Sequence, residues 1–240
     1  MTASEPVSRC GSPVADREPR PTLALRPTVQ VVAFATAPIR RSACWSHRRY
    51  EFVHGALTRR SVTLARRARL AAVISPGQLV TERLRLTPLV VDDATPMADV
   101  LGDERMYEFT SGHPPTVDEL WARYERLAVG HSADGSELWF NWIVRLADEA
   151  TPVGVMQATV VPDSSRADVA WEIGVPWQGR RFAVEAAGAV VAWLIAEGVG
   201  VVRALVHPHN AASARVAERA GLVRTPEFEE GEAVWLTPPR

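Results

Sequence analysis

The sequence of residues 78–240 predicts an α/β (α+β) fold, with a mixed, mostly antiparallel central sheet of six to seven strands flanked by about four helices. Segments 138–146 and 152–161 are rich in β-branched and aromatic residues and are separated by a short polar turn, as in antiparallel strands. The continuous apolar run 201–206 lies between two helical patterns and is typical of a buried parallel strand. We therefore expect a sheet with both kinds of strand pairing.

The first part of this region predicts one strand and two helices. Residues 83–89 alternate polar and apolar side chains, which is the period of a half-buried strand. Asp92 and Asp93 then begin a short helical stretch, since acidic side chains favour a helix N-terminus. Thr116, followed by Glu119, resembles a capping box and predicts the second helix.

The middle part predicts a strand over 168–175, a break at Pro176, and a long apolar helix from near Arg181 to Gly198 or Gly200. Because only two charged side chains lie between the ends of this helix, we expect it to be sandwiched inside the fold.

The last part predicts a helix and a hairpin after strand 201–206. Asn210 is expected to cap the helix, and Gly221 is expected to stop it in a left-handed conformation. Residues 222–224 and 233–236 would close the sheet as a hairpin.

Charge divides the chain into two unlike parts. Residues 1–77 contain 13 arginines and 4 acidic residues, whereas residues 78–240 contain 14 arginines and 24 acidic residues. Residues 78–240, the acidic domain, favour cationic partners, and their negative charge disfavours nucleic acid as a partner. Both cysteines, Cys10 and Cys44, lie in the basic part, so the domain has no disulfide or cysteine nucleophile, and we expect a cytoplasmic protein. No apolar run approaches the roughly 20 residues of a membrane-spanning helix.

Residues 1–77 form an Arg-rich extension that we interpret as disordered or non-native. The first 27 residues are rich in Pro, Arg, Ser and Ala without apolar periodicity. The favoured interpretation is non-native sequence upstream of a wrongly assigned start codon. The alternatives are a transit peptide or a polyanion-binding arm that tethers the protein to nucleic acid. No residue in this extension is assigned a role.

Three segments of the acidic domain carry a resemblance to a known family. They are residues 81–86 (TERLRL), 177–186 (WQGRRFAVEA), and 210–213 (NAAS) with 220–222 (AGL). Together they resemble the GNAT superfamily of N-acetyltransferases, and most closely the branch that includes ribosomal-protein N-terminal acetyltransferases. The resemblance spans about Leu79 to Trp235. It implies the acyl-CoA N-acyltransferase fold, and it implies acetyl-CoA as the cosubstrate.

The second segment resembles the loop that binds the pyrophosphate of acetyl-CoA. A helix N-terminus offers unpaired N–H groups and partial positive charge to such an anion. The resemblance implies cofactor contacts from Ile173, Val175, Gln178, Gly179, Arg180, Arg181, Phe182, Ala183 and Asn210. Arg181 replaces the usual glycine of the family, which would either weaken cofactor binding or let its side chain reach a phosphate.

The resemblance also implies direct attack of a neutral amine on the thioester. Glu172 is the candidate general base, because partial burial would raise its pKa toward a useful value. Ser213 is assigned to protonate or position the thiolate, and the backbone N–H of Val175 to face the carbonyl oxygen. Alternatively, Glu172 is an outward-facing strand residue, and Ser213 and Asn210 only satisfy a helix start. His207 is a second candidate for the base.

The acceptor is an amine of unknown identity, either a protein N-terminus or a small amine such as an aminoglycoside. Its contacts are expected from residues 109–124 and from the final hairpin, where Glu227, Glu229, Glu230 and Glu232 offer carboxylates to a cation or form a solvated turn. No metal is expected, because His207 and His209 lack further ligands at zinc-like spacing. The competing function is a catalytically silent acyl-CoA-binding module. We expect a monomer or a homodimer.

Overall fold

The computed structural model describes residues 76–110 and 112–239. They form an eight-stranded sheet in the order β1-β2-β3-β4-β5-β6-β8-β7. Its strands are β1 (Leu79–Val80), β2 (Leu84–Pro88), β3 (Leu138–Leu146), β4 (Pro152–Val161), β5 (Arg166–Ile173), β6 (Val201–Val206), β7 (Val223–Glu229) and β8 (Glu232–Leu236). The acidic domain is thus one continuous sheet with its helices on both faces.

One pair of neighbouring strands in the sheet is parallel and the rest are antiparallel. The parallel pair is β5 and β6, which matches Arg166, Ala167 and Asp168 with the first three residues of β6. The continuous apolar strand is therefore parallel to one neighbour, as its sequence predicts, and antiparallel to β8 on its other side.

Four α-helices are present in the described residues. They are α1 (Ala94–Val100), α2 (Val117–Ala128), α3 (Phe182–Ala196) and α4 (Ala211–Arg219). The predicted caps are confirmed. Thr116 and Glu119 make both hydrogen bonds of a capping box, and the Asn210 side chain accepts a hydrogen bond from the Ser213 N–H at 2.9 Å. Among these helices, none has the length and apolar character needed to cross a membrane.

The core divides into two clusters, one on each face of the sheet. The larger cluster packs β-strand side chains such as Trp142 and Met156 against α3 and α4. The smaller cluster packs Ile143 and Val155 against α1 and α2. Since Trp142 and Ile143 are sequence neighbours on β3, the two faces of that strand are both buried. The sheet is thus the middle layer of three.

Two predicted elements differ from the structure. The sheet has eight strands instead of six to seven, because β1 adds a two-residue strand beside β2. The strand predicted over 168–175 runs from Arg166 to Ile173, because Gly174 leads into a single 3-10 turn, Val175–Trp177, that contains Pro176. Placing Val175 on the strand was therefore wrong. Residues 1–75 of the predicted extension lie outside the described residues.

Candidate active site

The site begins where strands β5 and β6 part. Their pairing ends at Asp168 and Arg203, so β5 continues to Ile173 without β6 beside it. The N–H of Gly174 donates to the Val153 carbonyl at 2.9 Å, on the β4 side. Backbone groups alternate in direction along an antiparallel strand, so the N–H and C=O groups of Trp171 and Ile173 face away from β4. They lie on the side where β6 has separated, which we call the parted edge of β5. This edge offers backbone donors and acceptors to a ligand.

A short loop connects this strand edge to helix α3. The Gln178 side-chain amide donates to the Ile173 carbonyl at 2.9 Å, which holds the loop against the end of β5. Gly179 and Arg181 both have left-handed backbones, with φ of 75° and 65°. Arg181 therefore keeps the conformation that favours the glycine usual at this position, at a cost of about 1 kcal/mol for a residue with a side chain.

The N-terminus of α3 has the features of an anion site. Arg181 is the N-cap residue and makes no side-chain cap, so the first helical N–H groups, at Phe182 and Ala183, gain no partner from it. Arg180 and Arg181 are both exposed at this end of the helix. The helix dipole favours negative charge there. The predicted cofactor residues 178–183 are thus brought together, and their chemistry fits a pyrophosphate group.

Glu172 lies on the opposite side of the sheet from α3. It pairs with Val155, whose side chain packs in the cluster under α1 and α2, and directly opposed residues share a face. Burial raises the pKa of the Glu172 carboxyl to about 7, while the positive charge of Arg123 partly opposes this rise. The side chain keeps partial solvent exposure. Glu172 is therefore poised to exchange a proton near neutral pH.

Two tyrosines border the same region. Burial, and then the charge of Glu172, raise the pKa of Tyr107 and of Tyr124, so both stay protonated at neutral pH. The Tyr107 hydroxyl donates to the Leu101 carbonyl at 2.9 Å. The Tyr124 hydroxyl is buried and has no hydrogen-bond partner among the described residues. The acceptor region predicted from the sequence, residues 109–124, includes Tyr124 and Arg123 but not Tyr107, because nothing in the local pattern of Tyr107 points to Glu172.

Helix α4 contributes Ser213 and Asn210. The Asn210 side chain acts as an N-cap, which leaves its predicted cofactor contact as a proposal. Ser213 is half-buried, and its hydroxyl makes no hydrogen bond to another described residue. Ala217, one turn later, is fully buried. Its side chain is a methyl group and cannot act as an acid.

The two histidines lie at the end of β6. The rings of Phe109 and His207 lie with centroids 5.4 Å apart, and those of His207 and His209 5.5 Å apart. The His207 ring also accepts a hydrogen bond from the His209 N–H at 3.3 Å. These contacts join the α1–α2 connection to β6. Within residues 76–110 and 112–239, no group of three or more His, Cys, Asp or Glu side chains could hold a metal ion.

The structure separates the four hairpin glutamates. Glu229 accepts a hydrogen bond from Arg203 at 2.5 Å, and Glu227 and Glu230 are exposed. Glu232 is only 2% exposed, and neither of its carboxylate oxygens has a partner in the described part of the chain. Burial, with a smaller effect of the Glu230 charge, raises the pKa of Glu232 to about 7. Ala233 packs in the larger cluster, so Glu232 belongs to the same face as Glu172.

Comparison with known proteins places this geometry in a family. The model of the GNAT acetyltransferase domain matches residues 83–223. No curated protein matches the chain by sequence. A protein of Vibrio cholerae assigned as a ribosomal-protein-serine acetyltransferase superposes with a TM-score of 0.57 at 18% identity, over 69% of this chain and 100% of that one.

Two further solved structures share the fold. An acetyltransferase from Agrobacterium tumefaciens superposes with a TM-score of 0.53 at 24% identity, over 69% of this chain and 96% of that one. The aminoglycoside acetyltransferase AAC(6')-Ib, in complex with coenzyme A, superposes with a TM-score of 0.53 at 19% identity, over 65% of this chain and 95% of that one. At these identities, the superpositions show the fold. Because the family model covers more than half of the sequence, the chain belongs to the GNAT family of acetyltransferases.

Proposed function

We propose that the protein transfers an acetyl group from acetyl-CoA to a primary amine, with Glu172 as the general base. The observation that supports this most strongly is an arrangement across one strand. The parted edge of β5 leads into an arginine-flanked helix N-terminus, while Glu172 on the same strand lies on the opposite face, with a pKa of about 7. Donor and acceptor would thus meet at β5 from opposite sides.

On the donor side, acetyl-CoA supplies a thioester as the acetyl source. The N-terminus of α3, with Arg180 and Arg181, would bind its pyrophosphate. The backbone N–H and carbonyl of Trp171 and the N–H of Ile173 would hold its extended arm, while the Ile173 carbonyl already accepts from Gln178. The N–H of one of these two residues, and not that of Val175, would stabilise the developing oxyanion, because they face the parted edge and Val175 lies in the following turn.

On the acceptor side, Glu172 would accept the proton that the attacking amine loses. A carboxyl with a pKa near 7 is ionised in a large fraction of molecules at neutral pH and is basic enough to take a proton. Ser213, whose hydroxyl has no partner in the described residues, would donate a proton to the departing thiolate. Asn210 would hold the start of α4 and so fix the position of Ser213.

The acceptor would present an amine to the face that carries Glu172 and Glu232. A half-buried and a buried carboxyl on one face, Glu172 and Glu232, favour an acceptor with cationic or hydrogen-bond-donating groups. Relatives suggest two classes to try. One similar structure is assigned as a ribosomal-protein-serine acetyltransferase, and another, AAC(6')-Ib, is in complex with an aminoglycoside and acetyl-CoA.

The test is release of free thiol from acetyl-CoA by the full chain, with peptides bearing N-terminal serine, aminoglycosides and simple primary amines as acceptors. Amine-dependent release supports the proposal, and the fastest acceptor names the substrate class. Binding of acetyl-CoA without release for any acceptor would favour the silent acyl-CoA-binding module. Absence of binding would contradict the proposal altogether.

A further inference from the structure

The turn between β1 and β2 is joined to helix α3 by a set of hydrogen bonds that converge on one carboxylate. Glu185, in the first turn of α3, accepts from the Thr81 hydroxyl at 2.6 Å and from the Arg83 backbone N–H at 2.9 Å. The Arg83 side chain donates to its other oxygen through Nε at 2.8 Å, and Nη2 lies 2.6 Å from that oxygen. Both carboxylate oxygens therefore have partners.

Arg83 also contacts residues 178–182, the cofactor loop, directly. Arg83 Nη1 donates to the Arg180 carbonyl at 3.1 Å. Its guanidinium carbon lies 4.9 Å from the centre of the Phe182 ring, a cation–π distance. One side chain thus touches the residue before Arg181, the residue after it, and Glu185 one turn further on. Arg181 itself, in its left-handed conformation, is held between two anchored neighbours.

Charge makes this arrangement important for anion binding. A carboxylate in the first turn of α3 would by itself repel a pyrophosphate at the helix N-terminus. Burial would raise the pKa of Glu185, but hydrogen bonds from Thr81 and Arg83, together with the Arg83 charge, lower it overall, so the group is ionised at neutral pH. Arg83 neutralises the Glu185 carboxylate by direct contact, and Arg180 and Arg181 remain exposed at the helix N-terminus.

We propose that Thr81, Arg83 and Glu185 form a clasp that holds the cofactor loop, residues 178–182, in its anion-binding conformation before acetyl-CoA arrives. Arg83 is then a positioning residue that sets affinity for the CoA moiety and leaves the chemical step alone. An isolated exposed ion pair contributes little. Here two guanidinium nitrogens contact one carboxylate oxygen, and Thr81 and the Arg83 backbone N–H bind the other, so the arrangement fixes geometry as well as charge. This inference rests on the proposed use of acetyl-CoA.

The test compares three variants of the full chain by calorimetric titration with CoA. Arg83→Met removes both the loop anchors and the neutralising charge, and we expect the Kd for CoA to rise at least about tenfold, or about 1.4 kcal/mol. Arg83→Lys keeps the charge without the planar fork and should weaken binding less. Adding Glu185→Gln to Arg83→Met removes the unpaired carboxylate and should recover part of the loss. At saturating acetyl-CoA, kcat should stay near that of the wild type.

Arg145→Met is the matched control. Arg145 also joins distant elements, by donating to Asp93, to the Thr87 hydroxyl at 3.2 Å and to the Ala150 carbonyl at 3.2 Å. Its loss should lower the unfolding temperature without changing the Kd for CoA. A purely structural role for Arg83 would make the two variants behave alike, and an unchanged Kd in Arg83→Met would overturn the clasp.

Hydrogen exchange without ligand separates this inference from the proposed function. Amides of residues 178–184 should exchange faster in Arg83→Met than in the wild type, while Arg145→Met leaves them unchanged. Faster exchange in a protein that binds no CoA would support the clasp and contradict the proposed function. If exchange in Arg83→Met is unchanged and the protein binds CoA normally, the clasp is contradicted and the proposed function is supported.

Discussion

The carboxylates on the two sides of strand β5 have opposite environments. On the donor side, Glu185 has partners on both oxygens, and these lower its pKa in spite of burial. On the acceptor side, Glu172 and Glu232 are desolvated without comparable compensation, and burial raises the pKa of each to about 7. A glutamate side chain is thus a fixed charge in one region and a titrating group in the other.

This difference matches the role that we propose for each side. A polyanion is bound best by groups that are already in place, because loops and side chains then lose little freedom on binding. Proton transfer instead needs a group whose two protonation states are close in free energy at the working pH. The donor side therefore carries satisfied, neutralised groups, and the acceptor side carries carboxyls with pKa values near neutrality.

The largest expected effect is the loss of the base. In Glu172→Gln the amide cannot accept the amine proton, and we expect kcat/KM for the acceptor to fall by about 10²- to 10⁴-fold. Binding of acetyl-CoA should be unchanged, because the donor side is intact. Glu149→Gln, in the exposed β3–β4 turn, is the control. A Glu172→Gln enzyme that keeps more than about a tenth of the wild-type kcat/KM would remove Glu172 from the mechanism.

The second effect is on stability and comes from Glu232. Its pKa is about 7 in the folded protein against an ordinary 4.5, so the folded state binds more protons between these values, and the free energy of unfolding falls as pH rises through this range. At about 1.4 kcal/mol per pKa unit, the loss is on the order of 3 kcal/mol.

Denaturant unfolding of Glu232→Gln at about pH 5 and about pH 8 measures this contribution. The drop in stability between the two pH values should shrink by that amount, leaving the drop from Glu172, whose pKa is raised to the same value. Glu227→Gln, at an exposed carboxylate of the same hairpin, should behave like the wild type. An unchanged drop in Glu232→Gln would show that Glu232 has a partner or is hydrated.

A smaller effect is expected for Ser213→Ala. A thiol with a pKa of about 8.5 leaves as a thiolate more readily than an alkoxide does, so losing a proton donor should lower kcat by only about tenfold. The unfolding temperature should hardly change, since the Ser213 N–H still bonds to Asn210. Asn210→Ala, by contrast, should cost about 1 kcal/mol of stability through the lost cap. Full activity in Ser213→Ala would show that Ser213 does not protonate the departing thiolate.

The smallest effect concerns the loop backbone. Arg181→Gly should relieve the cost of a side chain at φ 65°, by up to about 1 kcal/mol, although greater freedom of the unfolded chain offsets part of it. For a domain of this size that corresponds to a rise in Tm of about 2–4 °C at most. Arg181→Ala keeps the strained backbone and should give no rise. An equal rise in both variants would point to relief of charge repulsion instead of backbone strain.

Local sequence signals predicted most of the fold. Thr116, Asn210 and Gly221 mark helix ends through contacts within four residues, and all three behave as expected. The end of β5 was misplaced because Val175 suits a strand by itself, whereas Gly174 and Pro176 together turn the chain there. Elements are thus predictable where the deciding contacts are local.

The site was predictable only in part, for the same reason. The loop 178–183 and Glu172 could be named from motif and position, but the Arg83–Glu185 clasp joins residues 102 apart in sequence. The left-handed backbone at Arg181 is also hidden, because arginine rarely adopts it. The hairpin glutamates look alike in sequence, and only burial separates Glu232 from its exposed neighbours.

The role of Glu172 is tested by the pH dependence of amine-dependent thiol release, measured as kcat/KM for two acceptors whose own pKa values differ. We expect activity to rise with pH through an apparent pKa of about 7, the value to which burial raises the Glu172 carboxyl. This rise should be the same for both acceptors, persist in Glu232→Gln and disappear in Glu172→Gln. A rise through about pH 7 that survives in Glu172→Gln would contradict the assignment of Glu172 as the base.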